Sequence, residues 1–113
     1  MCTQNELSII LERINRAYHT VYGENIVKVL LYGSYARGNY NGDSDIDIVA
    51  IVHGDRYELQ KKLNLVWEVS ADLELEYETI VSPTVIPYDE YEAYKKLLPY
   101  YKNIYREGIT IGT

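Results

Sequence analysis

The sequence predicts an α+β fold of two layers, in which a small mixed β-sheet has helices packed on one face. Apolar residues recur at helical spacing over 7–21, which is typical of an amphipathic helix. Two apolar runs of strand length follow at 26–32 and 44–52, the second interrupted by two acids. A second helical pattern over 56–75 then leads into a β-rich stretch at 79–86. Such elements form one core because each buries a single apolar face.

Length and composition fit a single folded domain over residues 1–113. Of the 113 residues, 47% are hydrophobic and 25% are charged, as in ordinary globular proteins. The formal net charge of −6 argues against an extended nucleic-acid surface, because such surfaces neutralise phosphates with Lys and Arg. Cys2 is the only cysteine, which excludes an intrachain disulfide.

The N-terminus and the hydropathy pattern predict the compartment. No stretch has the length of a membrane span, and the N-terminus lacks the apolar block of a signal peptide. We therefore expect a cytoplasmic protein that does not enter a membrane.

The N-terminal half predicts one helix and two strands. Thr3 and Glu6 have the spacing of a capping box, so the first helix is expected to begin there, and Gly23 is a natural end. The run 26–32 is almost continuously apolar, as in a strand that is buried on both faces for part of its length. Asn, Gly and Asp residues over 39–43 predict a loop before the second strand.

The C-terminal half predicts a long helix, a third strand and short terminal elements. Trp67 lies in the middle of the helix over 56–75 and is expected in the core. The third strand is expected to start near Tyr77, and its two prolines favour an edge position. Two short helices follow, the second beginning at Pro99. Residues 109–111 either pair as an edge strand or pack as a tail.

Two acids on the second strand are the centre of the functional prediction. Residues two apart on a strand point to the same side, so Asp45 and Asp47 project together while Ile46 and Ile48 face the core. Adjacent carboxylates repel each other unless a cation lies between them, and oxygen ligands suit Mg²⁺ or Mn²⁺. The pair therefore predicts a divalent metal site.

The polar loop before these acids predicts a phosphate site. Gly33 allows a ligand to approach the backbone closely, and Ser34 adds a hydroxyl. Arg37 has two readings, since its guanidinium suits either a nucleotide phosphate or a nearby acid such as Asp43. A Gly-Ser turn or a D-x-D strand alone is most often without function. Both in one supersecondary unit indicate a phosphate cradle that faces a metal.

This unit resembles the signature of the DNA polymerase β-like nucleotidyltransferase superfamily in its minimal form, the MNT domain. The matching segments are GSYARG at 33–38 and SDIDI at 44–48. A weaker likeness over 80–83 and 98–104 is similar to the tail of small nucleotidyltransferase-domain proteins found beside HEPN-domain partners. The resemblance implies the polymerase β-like nucleotidyltransferase fold, with a short helix at 34–37.

The resemblance also implies a reaction, the transfer of AMP or another nucleoside monophosphate from ATP or another NTP to a hydroxyl, with Mg²⁺ or Mn²⁺. The family uses three carboxylates, which implies that catalysis and metal binding fall to Asp45, Asp47 and a third acid on the neighbouring strand. Glu78 is our prediction for the third acid and Glu76 is the alternative, and either departs from the usual Asp. The residues implied for nucleotide binding are Gly33, Ser34, Arg37 and Ser44.

The acceptor is expected on another molecule, because 113 residues leave no room for an acceptor domain beside a nucleotide-binding core. The resemblance implies a HEPN-domain toxin that is neutralised by AMP on a tyrosine, so the chain would be antitoxin-like. The alternative is a degenerate MNT-fold module that masks its partner without chemistry. Modification of a small molecule, as in aminoglycoside nucleotidyltransferases, is a third reading, against which the missing helical domain argues.

Overall fold

Helices and strands alternate along the chain in the predicted order. The computed structural model describes residues 3–112. The helices are α1 (Gln4–Tyr22), α2 (Ser34–Arg37), α3 (Arg56–Tyr77), α4 (Tyr88–Tyr94) and α5 (Pro99–Glu107), with a 3₁₀ turn at Gly23–Asn25. The strands are β1 (Ile26–Tyr32), β2 (Ile46–Val52), β3 (Val81–Pro87) and β4 (Ile109–Gly112). Over 3–112, no helix combines the length and the apolar character that a membrane crossing requires.

The four strands form one mixed sheet in the order β3-β2-β1-β4. β1 pairs antiparallel with β2 and β4, whereas β2 and β3 are parallel and are joined through α3. β3 is an edge strand, which agrees with the position expected from its prolines. Residues 109–111 pair as an edge strand, which is one of the two structures predicted for them. The predicted fold class, a small mixed sheet with packed helices, is confirmed.

Helix α1 is fixed at both ends by its sequence. The Thr3 hydroxyl accepts a hydrogen bond from the Glu6 backbone N–H at 3.1 Å, and the Glu6 carboxylate accepts one from the Thr3 N–H at 2.9 Å. This is the predicted capping box. At the other end Gly23 takes a positive φ of 58°, and its N–H bonds to the His19 carbonyl.

The sheet separates two apolar clusters because side chains alternate along each strand. Ile46 and Ile48 lie fully buried in the larger cluster, between the sheet and the long helices α1 and α3. Val49 and Ile51 point to the opposite face, where residues of the short helices α4 and α5 pack over them. The long helices therefore form the predicted layer on one face, and the short helices cover part of the other.

Two predicted placements are wrong. The third strand begins at Val81 rather than near Tyr77, because α3 continues to Tyr77 with Leu73 and Tyr77 at helical spacing. Glu78 ends the helix in the left-handed conformation, at φ 53° and ψ 42°, and lies outside the strand. Trp67 is not a core residue, since it is 48% exposed and its indole N–H donates to the Pro83 carbonyl at 3.0 Å.

Candidate active site

The two acids stand at the beginning of β2, in the middle of the sheet. Asp45 directly precedes the strand, and Asp47 is its second residue. The strand register places Tyr32 of β1 on one side of Asp47 and Ser82 of β3 on the other. Directly paired residues share a face of the sheet. Tyr32, Asp47 and Ser82 therefore lie in a row on the face opposite the long helices.

The electrostatics at Asp47 show that the two acids lie close together. Burial raises the pKa of the Asp47 carboxyl, and the negative charge of Asp45 raises this pKa further. The Arg37 guanidinium lowers the pKa and offsets part of the effect. The folded protein thus disfavours the charge on Asp47, mainly because the carboxyl is half-buried and in part because Asp45 is negative, and a bound cation would relieve both effects.

Gly33 lies directly against the carboxylate of Asp47. Its backbone has φ 75° and ψ −155°, a backbone conformation that L-residues other than glycine rarely adopt. A Cβ at this position would lie 2.5 Å from Oδ2 of Asp47. Glycine is therefore required here for two reasons, the backbone conformation and the close contact between this backbone and the Asp47 carboxylate.

The loop between Gly33 and Asp45 is held by its own side chains. The Ser44 hydroxyl accepts a hydrogen bond from the Asn41 backbone N–H at 3.0 Å, and the Ser44 N–H donates to the Asn41 carbonyl at 3.1 Å. The rings of Tyr35 and Tyr40 stack in parallel with 4.1 Å between their centroids. Ser44 therefore shapes the turn that delivers Asp45 to the site.

Arg37 pairs with Glu107 at the end of α5. Its Nη1 lies 3.2 Å from Oε2 of Glu107, and both side chains are more than a third exposed. Asp43, the acid considered from the sequence, is not this partner. Glu107 lies 70 positions further along the chain and reaches the site only because α5 packs on the same face. The pair leaves Arg37 near Asp47 and open to solvent.

The structure does not bring a third acid to the pair. Glu78 ends α3, and Glu76 forms a salt bridge with Arg13 of α1 at 2.9 Å. In the described part of the chain, no three His, Cys, Asp or Glu side chains are grouped as metal ligands. The expectation that Glu78 or Glu76 shares a strand face with the acids is therefore corrected.

Hydroxyl residues occupy the part of β3 where a third carboxylate was expected. Ser82 is in register with Asp47, and Thr84 and Ile86 follow it on the same face. The sequence of β3 contains no acidic residue. The sequence prediction missed this position because it placed the start of the strand four residues too early.

The oxygen ligands that are present fit a magnesium or manganese ion. Mg²⁺ is usually held by one or two protein carboxylates, with waters and substrate phosphates completing its octahedron. Asp45 and Asp47 provide two carboxylates at one place, and Gly33 has no side chain to displace the Asp47 carboxylate. The arrangement fits a metal that is bound together with a phosphate-bearing substrate.

A pair of tyrosines borders the site on the β1 side. The hydroxyls of Tyr32 and Tyr100 lie 3.1 Å apart, and their rings meet edge to face. Burial raises the pKa of Tyr32, as do the hydrogen bond between Tyr32 and Tyr100 and the charge of Asp47. Tyr32 therefore remains a neutral hydroxyl beside the acid.

The fold and the two-acid site define a nucleotidyltransferase, and comparison with known families agrees. The nucleotidyltransferase domain model matches residues 8–108, which is most of the chain. The chain belongs to this family, as a minimal nucleotidyltransferase domain.

Two proteins of the archaeon Methanocaldococcus jannaschii show the relationship in sequence. Both are named "Putative protein adenylyltransferase". One is 31% identical over 106 residues, which is 92% of this chain and 95% of that protein. The other is 28% identical over 80 residues, which is 71% of this chain and 79% of that protein.

A solved structure shows the same fold. The crystal structure of a toxin–antitoxin with AMP-PNP superposes with a TM-score of 0.53 at 19% identity. The match covers 94% of this chain and 71% of that one. The four-stranded mixed sheet thus agrees with a solved fold of comparable size.

We predict that Gly33→Ala damages the site more than the fold. The new Cβ would push the Asp47 carboxylate aside, while the unfavourable backbone conformation costs about 1–3 kcal/mol. Gly38→Ala is the matched control, because Gly38 also has a positive φ, 81°, but a Cβ added there would meet no atom within 4 Å. Urea unfolding should show that both variants are destabilised. Only Gly33→Ala should lose Mn²⁺-dependent ATP binding, and equal binding by both would contradict the role of this contact.

We predict that Asp47→Asn raises the melting temperature at pH 7 in the presence of a chelator. A folded-state pKa above the unfolded value means that ionised Asp47 destabilises the fold, so stability falls as pH rises through that pKa. The gain should be roughly 2–4 °C, because solvent screens part of the charge. It should shrink as the pH falls and disappear well below the unfolded-state pKa of about 3.9, where Asp47 is protonated in both states. Asp43→Asn, in the exposed loop, is the control, and an equal gain there would refute a special strain at Asp47.

Proposed function

We propose that this chain is a protein adenylyltransferase that moves AMP from ATP to a hydroxyl of a partner protein with Mg²⁺ or Mn²⁺. The observation that carries the proposal is the pair of acids, Asp45 and Asp47, with the Asp47 carboxylate lying against Gly33. The names of both archaeal relatives support a protein acceptor and an adenylyl group. The structural neighbour is a toxin–antitoxin with an ATP analogue, which supports a toxin–antitoxin role, and we propose that this chain acts as the antitoxin.

The chain's own residues have distinct tasks in this reaction. Asp45 and Asp47 would hold the metal, and the bound metal would neutralise the triphosphate and make the acceptor hydroxyl more acidic. Gly33 and Ser34 would hold the β- and γ-phosphates, and Ser44 keeps the loop that positions Asp45. The acceptor oxygen bonds to the α-phosphorus, the bond to the bridging oxygen breaks and pyrophosphate leaves, while the proton of the acceptor hydroxyl passes to water. Catalysis of this kind depends on position and charge.

Arg37 would change partners when the nucleotide binds. In the structure it pairs with Glu107, and the exposure of both side chains makes that pair weak. A triphosphate beside Asp47 brings several charged oxygens within the field of this guanidinium, which suits phosphate geometry. The exchange would tighten the loop over the nucleotide and compensate part of the charge that the acids bring.

The surface next to the site supports a protein partner. Leu97, Leu98 and Tyr105 around the α4–α5 corner are exposed, Leu97 to 72%. Residues 93–106 contain four basic side chains and no acidic one, although the whole chain carries a net charge of −6. Aromatic residues are enriched in protein interfaces, and the basic side chains would suit a partner that is acidic at this place. We propose that this corner contacts a HEPN-domain partner that carries the acceptor.

One observation favours a second function, a module that masks its partner without chemistry. β3 presents Ser82 beside Asp47 instead of an acid, so a second metal would lack a third carboxylate. The intact acids and Gly33 oppose this candidate, because masking alone requires neither.

The decisive experiment is the transfer of label from α-labelled ATP to the protein encoded beside this one. With Mg²⁺ or Mn²⁺, we expect AMP on that protein. Asp45→Asn and Asp47→Asn should each lower the transfer by at least about 100-fold. Loss of a residue that only hydrogen-bonds to a metal ligand costs about 10- to 100-fold in activity, and loss of the ligand itself should cost more. Asp43→Asn is the matched control, since it removes an acid from the same loop outside the pair, and should transfer normally.

The opposite result would establish the masking module. Tight complex formation between the two proteins, without label and without metal-dependent binding of ATP to this chain, would contradict the transferase. Equally tight complex formation by the wild type and by Asp47→Asn would show that Asp47 has no part in binding the partner protein.

A further inference from the structure

One tyrosine hydroxyl of the chain itself reaches the edge of the candidate active site. Tyr100 lies in the first turn of α5 and is 47% exposed. Its hydroxyl is 3.1 Å from that of Tyr32, which is paired across the strands with Asp47. A solvent-accessible phenol thus stands one side chain away from the acids.

Three other tyrosine hydroxyls, one on this face and two in the core, are engaged in hydrogen bonds. Tyr18 and Tyr22 are buried and donate to the carbonyls of Thr84 and Leu59. The Tyr101 hydroxyl bonds to the Glu90 carboxylate, which also pairs with Arg56. Among the described tyrosines, Tyr100 is the exposed one whose hydroxyl contacts a residue flanking Asp47.

Tyr105, on the same helix α5, provides a comparison for Tyr100. The Tyr105 ring is exposed to a similar extent, 43%, but the ammonium groups of Lys95 and Lys96 lie over it. No contact joins Tyr105 to Tyr32 or Asp47 in the described interactions. Exposure alone therefore does not distinguish Tyr100, whereas its contact with Tyr32 does.

We propose that the chain adenylylates its own Tyr100, within one molecule. The Tyr100 oxygen bonds to the α-phosphorus of ATP, the bond from that phosphorus to the bridging oxygen breaks, and pyrophosphate leaves. The phenolic proton passes to water. The inference rests on the proposed function, because it uses the same acids and the same nucleotide.

Such a modification would occupy the side from which a partner's hydroxyl approaches. Tyr100 contacts Tyr32 at the site and follows the exposed Leu97 and Leu98 by only two to three positions in the chain. A bound partner that covers this corner would also cover Tyr100 and present its own hydroxyl instead. Self-modification is therefore expected to fall when the partner is present.

The test is the mass of the intact protein after incubation with ATP and Mn²⁺, followed by peptide mapping. We expect a mass increase of one AMP, located on Tyr100. It should be lost in Tyr100→Phe and in Asp47→Asn, and retained in Tyr105→Phe. Tyr100→Phe should keep Mn²⁺-dependent ATP binding and a normal melting temperature, which shows that the variant is folded.

A mixture separates transfer within one molecule from transfer between molecules. Tagged Asp47→Asn keeps Tyr100 but lacks the acid, whereas Tyr100→Phe keeps the acid but lacks the acceptor. We expect no AMP on either chain when they are mixed. AMP on the Asp47→Asn chain would overturn the intramolecular proposal.

The two proposals fail in different ways. AMP on the protein encoded beside this one, with Tyr100 unmodified in the absence and the presence of that protein, would overturn the inference and leave the proposed function standing. Absence of AMP from both proteins, together with no metal-dependent ATP binding, would overturn the proposed function and the inference with it. AMP on a residue other than Tyr100 would reject the assignment of the acceptor.

Discussion

The structure depends on holding two acids side by side in the middle of a sheet. Asp45 and Asp47 repel each other, and burial makes the charge on Asp47 more costly, as its raised pKa shows. The chain keeps this arrangement because β2 is fixed by a partner strand on either side. A carboxyl whose pKa is raised by burial and by a neighbouring charge is typical of functional sites.

The rest of the fold holds this carboxylate in position. Alternation along β2 buries Ile48 against the long helices, which fixes Asp47 on the other face. Gly33 has no side chain that would displace the Asp47 carboxylate. The short helices pack on Val49 and Ile51 but leave the start of the strand half-open. Burial of Ile48 on one face of the sheet thus leaves Asp47 accessible to solvent on the other.

Local sequence signals predicted the first half of the fold well. The capping box at Thr3, the helical stop at Gly23 and the period of two around Asp47 each involve residues a few positions apart. These interactions are decided within one element or turn, so a pattern reveals them. The family signature over 33–48 lies in the same part of the chain.

Features that depend on distant contacts could not be predicted. The Glu107 partner of Arg37 is brought in by the packing of α5. The exposure of Trp67 depends on β3 being an edge strand. The acidic and apolar alternation before Glu78 suits either a strand or a helix, and packing of α3 on α1 decided for the helix. That error displaced the expected third acid from the site.

The central claim, that the two acids and Gly33 bind a metal together with a triphosphate, is tested most directly by a crystal structure with Mn²⁺ and a non-hydrolysable ATP analogue. Anomalous scattering locates the manganese independently of the interpretation of the nucleotide. The account predicts a manganese peak between the carboxylates of Asp45 and Asp47, with the β- and γ-phosphates against Gly33 and Ser34. Manganese bound elsewhere, or a nucleotide that does not contact this loop, would contradict it.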